Sequence, residues 1–126
     1  MDQNKKVALV RGENRKENLK RCLSLIQEDM ELIKKAKNIL IKPNLVAIKP
    51  DFANTHVEAI ESVIEFVREM VPDTPITVGE CSASAFYRGL STESVFKDFD
   101  YYRIEKKYSN VSLTHFDKSN EFIQSP

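Results

Sequence analysis

The sequence predicts an α/β fold: a three-layer α/β/α arrangement around a mostly parallel sheet of four to five strands, Rossmann-like but non-standard. Two observations predict it. Short apolar runs rich in β-branched residues recur along the chain, and the stretches between them carry apolar residues at helical spacing. That alternation feeds right-handed crossovers into a parallel sheet, whereas a sandwich would show more and shorter strands and fewer long helices. The chain has 126 residues, a usual size for one domain with a real core, and it is expected to form a single α/β domain over residues 1–126.

The elements follow in order. Val7-Ala-Leu-Val10 reads as the first strand, with Gly12 punctuating its end. Asn14-Arg-Lys-Glu17 has the spacing of a capping box. Leu19, Cys22, Leu23, Ile26, Met30 and Ile33 then form one helix face, with Lys16, Lys20, Glu28, Glu31 and Lys35 expected in solvent. Ile39-Leu-Ile-Lys42 is the second strand, ended by Pro43. The loop from Asn44 to Asn54 is longer than usual for a strand-to-helix connection. Thr55-His-Val-Glu58 reads as a second capping box, backed by Val57, Ile60, Ile64, Val67 and Val71. Ile76-Thr-Val-Gly79 is the third strand, and Cys81 to Gly89 reads as loop. Ser91-Thr92 caps a short helix carrying Val95, Phe96 and Phe99, and Asp100 caps another with Tyr101, Ile104 and Tyr108. Val111-Ser-Leu-Thr114 is the fourth strand, and Glu121 to Pro126 either adds a short fifth or frays.

Composition excludes some functions. The 19 basic residues equal the 19 acidic ones, and the lysine pairs are interspersed with acids, so the positive field that nucleic-acid binding draws on is missing. Cys22 and Cys81 form neither a disulfide pattern nor a CxxC metal motif. Cys22, on a helix face, reads as a small buried hydrophobe. The N-terminus lacks the apolar stretch of a signal peptide, and no segment approaches the roughly 20 apolar residues that cross a bilayer. A cytoplasmic protein with reduced thiols, bound to neither membrane nor nucleic acid, is therefore expected. Three glycines in the chain, with no GxGxxG and no GxxxxGK[ST], leave side chains rather than a glycine nest to hold any ligand.

In a parallel sheet every strand ends at one edge, so polar residues just after the strands converge in space. Arg11, Lys42, Asn44, Thr55 and Ser82 meet that condition and form a candidate anion site, in which a helix start contributes free N–H groups. The structural alternative is a solvated strand-end Lys42 and a Thr55 that only caps. His56, Glu80, His115 and Asp117 form a second set, suited to a divalent metal or, for His56 and Glu80, to acid–base catalysis; no fixed motif spacing supports it. Cys81 or Ser82 as a nucleophile after the third strand is a third reading, but no GxSxG elbow surrounds it.

Ile39-Leu-Ile-Lys-Pro-Asn-Leu-Val46, then Thr55-His-Val-Glu-Ala-Ile60, then Val78-Gly-Glu80 with Ser82-Ala83, resembles domain of unknown function family 362, uncharacterised prokaryotic proteins. Phe96-Lys97 and Tyr108 to Asp117 follow the same order. The chain resembles the N-terminal half of that family only, as an incomplete or truncated family domain. A later lysine- and histidine-containing stretch of the family is missing, and Val57 stands where the family pattern has proline. Carried over by position, the resemblance implies Lys42, Asn44, Thr55, His56, Glu80 and Ser82 as functional residues. Some members carry an added segment with cysteine clusters for iron–sulfur clusters; two cysteines do not build one, so none is expected here.

Three functional classes follow. The first is a domain binding a small anion or phosphate ligand at the C-terminal edge of the sheet, with or without enzymatic chemistry. The second is a non-catalytic interaction domain completed as a homodimer or by a separate second half, because an unfinished sheet exposes an edge. The third is a remnant of an iron–sulfur redox protein without its cluster segment.

Overall fold

The computed structural model describes residues 6–46, 53–87 and 89–118. Its sheet comprises β1 (Ile39–Ile41), β2 (Ile76–Glu80) and β3 (Val111–His115), in the order β1-β2-β3 with both pairings parallel. Ile39 lies opposite Ile76, Ile76 opposite Val111, and Glu80 opposite His115, so the strands finish at one common edge. Helices flank this sheet: α1 (Arg15–Leu25), α2 (Val57–Met70), α3 (Ala83–Tyr87), α4 (Thr92–Asp98) and α5 (Arg103–Lys107), with 3-10 helices at Gln27–Lys35 and Phe116–Lys118. Among the described residues no helix is long and apolar enough to cross a membrane.

The expected α/β architecture is present, but the sheet has three strands, not four to five. Val7–Val10 belongs to no strand. It runs along α1, where Cys22 Sγ meets the Ala8 carbonyl at 3.8 Å and Asn18 Nδ2 donates to the Gly12 carbonyl at 2.8 Å. Val7 and Leu9 are 91% exposed. Apolar alternation signals strand competence, and pairing needs in addition a partner edge brought into register. The expected fifth strand, Glu121 to Pro126, lies outside the described residues.

Helix α2 follows its apolar stripe. Val57, Ile60, Ile64, Val67 and Val71 are all buried, and they pack with Ile76, Val78, Val95, Phe96, Tyr101, Ile104 and Val111. Ile64, fully buried, is the centre of this face. Ile64→Ala is expected to cost about 2–4 kcal/mol through the cavity it leaves, read as a lower urea midpoint at unchanged m-value.

Helix α1 starts as its capping box requires, with the Asn14 side chain accepting from the Glu17 N–H at 3.0 Å. The continuous helix expected beyond it breaks at Ile26 into the 3-10 segment, and none of the residues of α1 is fully buried. Its apolar face is half covered, by α2. Lys16 and Lys20, expected in solvent, instead pair with α2.

Helix α4 begins on Ser91, whose Oγ accepts from Ser94 N, as its sequence predicts. Its end differs from expectation. Asp100 does not cap α5; it adopts φ +59° after α4, with Tyr101 N–H bonded to Phe96 O and Asp100 N–H to Lys97 O. This is a Schellman ending, and Tyr101 stacks on Phe96 at 5.3 Å as its hydrophobic contact. At the opposite edge of the sheet, Arg68 donates to the carbonyls of Thr74, Ser109 and Asn110, tying the end of α2 to the turns before β2 and β3.

Candidate functional site

The site is built around Glu80, the last residue of β2, which is 3% exposed. A buried carboxylate needs partners. Glu80 takes the backbone N–H of Cys81 on Oε1 at 2.8 Å and that of Leu45 on Oε2 at 3.0 Å. Lys42 Nζ reaches both oxygens, at 3.0 and 3.1 Å, and also donates to the Pro43 carbonyl at 3.1 Å. The end of β2 thus holds the segment following β1 in place, and the Lys42 side chain remains 59% exposed.

Asn44 and Thr55 form the next layer. Asn44 N–H donates to Thr55 Oγ1 at 2.9 Å, Thr55 N–H donates to Asn44 O at 2.8 Å, and Tyr101 OH donates to the Thr55 carbonyl at 2.7 Å. The expected role of Thr55 as the cap of α2 is corrected: the cap is His56, whose Nδ1 accepts from Glu58 N–H at 3.2 Å. The Thr55 hydroxyl is spent on Asn44, one residue too early to reach the first turn. His56 faces a different cleft, lined with Asp98, Asp100 and Arg103.

Past β2, Ser82 is fully buried, its N–H donating to Thr92 Oγ1 at 2.9 Å and its Oγ accepting from Ser84 N–H at 3.3 Å. Asp117 Oδ2 accepts from Thr92 N–H at 3.2 Å, while the buried Oδ1 has no hydrogen-bond partner. Burial pushes the Asp117 carboxyl up, but hydrogen bonds from Thr92 and its own backbone, with His115 nearby, hold it below the usual carboxylate range. His115 Nε2 lies 3.1 Å from Tyr102 OH, and its ring packs 5.3 Å from Phe96. Gly79 leaves room for the Phe116 ring, which a Cβ at that position would meet at 2.3 Å and displace. Between these parts lies a cleft of about 360 Å³ lined by Cys81, Leu90, Ser91, Phe116 and Asp117. Burial, together with Asp117 and Glu80, pushes the Cys81 thiol up, so it is not the activated thiolate that nucleophilic catalysis needs.

The structure therefore brings together Lys42 with Glu80, Asn44 with Thr55, and Ser82 with Asp117 through Thr92. Arg11 lines a separate cleft with Lys20 and Arg21. Among the described residues, no three His, Cys, Asp or Glu side chains are placed to hold one metal ion.

A second charged cluster has no counterpart in the sequence reading. Glu61 of α2, 2% exposed, receives Lys16 of α1 at 3.0 Å and Arg103 and Lys107 of α5 at 2.9 and 3.1 Å. Glu65 takes Lys20 at 3.1 Å and the Tyr108 hydroxyl at 2.7 Å. Burial pushes both carboxyls up, and the hydrogen bonds from these partners outweigh it, bringing Glu65 down to about 2. The signal was available: Glu61 stands four residues after Val57 and three before Ile64, within the apolar stripe.

A family model described as domain of unknown function (DUF362) matches residues 39–126. The chain belongs to the DUF362 family. The match extends over most of the chain, which corrects the expectation that only the N-terminal half of the family is represented. The DUF362 region starts at β1 and includes Glu80, Lys42 and the acidic side of the second cluster, while Lys16 and Lys20 precede it. Searches of curated proteins and of solved structures found no match.

Proposed function

We propose that this DUF362 chain binds a small compound through an anionic group, phosphate or carboxylate, at the C-terminal edge of its sheet. The observation that carries the reading is the mounting of Lys42. An ammonium has three N–H donors; the two Glu80 oxygens and the Pro43 carbonyl fix its position, and because the side chain still opens to solvent an anion binds by replacing one of the Glu80 contacts. Glu80 acts as the holder, since its oxygens are already engaged by Leu45, Cys81 and Lys42. Asn44, exposed and held through its backbone by Thr55, donates one Nδ2 hydrogen to the Ala53 carbonyl at 3.2 Å and keeps the other as a donor beside it. Ser82 shapes the loop from within. His56, half exposed at the start of α2, faces its own cleft and takes no part in holding this compound, and Asp117 lines the adjoining cleft beside Cys81.

Calorimetric titration with inorganic phosphate, in wild type and in Lys42→Ala, tests this. Lys42→Ala is expected to lose about 1 kcal/mol of stability or less, as for exposed ion pairs, and to abolish binding. Unchanged phosphate affinity in a folded Lys42→Ala protein overturns the reading.

A second reading, a domain completed by another copy of itself, is favoured by one observation: β1 has β2 on one side and, among the described residues, no strand on the other.

A further inference from the structure

The two outer edges of the sheet are treated differently. On β3, Leu113 N–H points away from β2 and is taken by the Glu105 carboxylate of α5 at 2.8 Å. A charged side chain set on an edge strand blocks further pairing. On β1, the register with β2 turns Ile39 and Ile41 toward β2 and leaves the peptide groups of Leu40 facing outward. No charged side chain guards that edge among the described residues, and Leu40 is 58% exposed. The chain also carries a segment of strand composition with no ladder of its own, Val7–Val10, whose alternate residues Val7 and Leu9 are 91% exposed.

We propose that the bare edge of β1 is an interaction surface for a second copy of this chain, which supplies its Val7–Val10 segment as the added strand. The inference rests on the self-association reading and names the surface and the segment that carry it. Pairing Leu9 with Leu40 in the antiparallel sense makes the two a hydrogen-bonded pair and sets Ala8 and Val10 opposite Ile41 and Ile39, so both apolar sides of the new strand meet apolar neighbours. A one-residue slip would put Leu9 on the wrong face. Exchange in both directions gives a closed two-fold dimer, because each chain brings one strand and one edge.

The test mixes two preparations, one carrying Leu9→Cys and the other Leu40→Cys, both with Cys22 and Cys81 replaced by alanine, and oxidises the mixture. Light scattering on wild type, Leu9→Pro and Leu40→Lys runs alongside and needs no cysteine-free background. The expected results are a disulfide joining the two preparations, a wild-type dimer at micromolar concentration, and dimer affinity lowered about tenfold or more in Leu9→Pro and Leu40→Lys, which lose a donor or place a charge on the edge. A dimer that survives both substitutions without the cross-link overturns this assignment and leaves association standing. A monomer at millimolar concentration overturns both, and a Leu9–Leu40 link formed only within a doubly substituted chain shows that the segment docks on its own edge, which also overturns the proposal.

Discussion

Glu80→Ala is expected to lower stability by roughly 2–6 kcal/mol and to release Lys42 from the sheet edge. The cost comes from the two backbone N–H groups of Leu45 and Cys81, which lose their acceptor in a largely buried setting, at about 1–3 kcal/mol each. Lys42 adds little to that cost because it is exposed and finds water. Glu80→Gln keeps an acceptor but places an amide donor against the Lys42 ammonium and one of the N–H groups, so an intermediate loss is expected. The measurement is urea unfolding of Glu80→Ala, Glu80→Gln and Lys42→Ala side by side. A Lys42→Ala protein as unstable as Glu80→Ala would mean that the ion pair, not the backbone caps, holds the edge.

Glu61→Ala is expected to cost about 3 kcal/mol, since it removes the buried anion on which Lys16, Arg103 and Lys107 converge. Removing one partner of a buried pair costs about 3–5 kcal/mol; the low end applies because those cations are partly exposed and regain water. The same cluster sets an acid limb. Glu61 and Glu65 titrate below their ordinary value of 4.5 in the folded protein, Glu65 at about 2. Their contribution is therefore complete above about pH 4.5 and is lost as pH falls toward about 2. In Glu61→Ala, stability should fall less steeply across that window than in wild type. Helix α1 should respond first, because it has no fully buried residue and its half-covered apolar face is supplemented on α2 by the ion pairs of Arg15, Lys16 and Lys20. Helical circular dichroism followed from pH 5 to pH 2, the window these shifts define, checks both points; parallel acid limbs in variant and wild type would remove the cluster from the account.

Local rules made most of this fold legible. The stripe from Val57 to Val71, the Asn14 and Ser91 caps and the three paired strands all come from spacing and cap chemistry, which act within a few residues. The misreadings depend on long-range partners. Val7–Val10 has strand composition, but composition does not tell whether an edge will receive it. Thr55 has the spacing of a cap, yet Asn44, eleven residues away, claims its hydroxyl. Asp100 looks like a helix start and serves as the turn that ends α4. For the site, strand-end reasoning put Lys42, Asn44, Thr55 and Glu80 in one place, and they do meet there, whereas Arg11 and His56 line other clefts. Thr92, expected with Ser91 to cap a short helix, links Ser82 to Asp117. Glu61 stands within the buried stripe of α2, but the cations of α1 and α5 that make its burial tolerable are at least 42 residues away in sequence and leave no local mark.

The most direct test of an anion site at Lys42 is an amide chemical-shift titration of the isotope-labelled protein with inorganic phosphate. Saturable shifts centred on Lys42, Asn44, Leu45 and Cys81, absent from Lys42→Ala, are the predicted result. Shifts centred instead on Lys16, Arg103 and Lys107, or no saturable shifts at all, would contradict it.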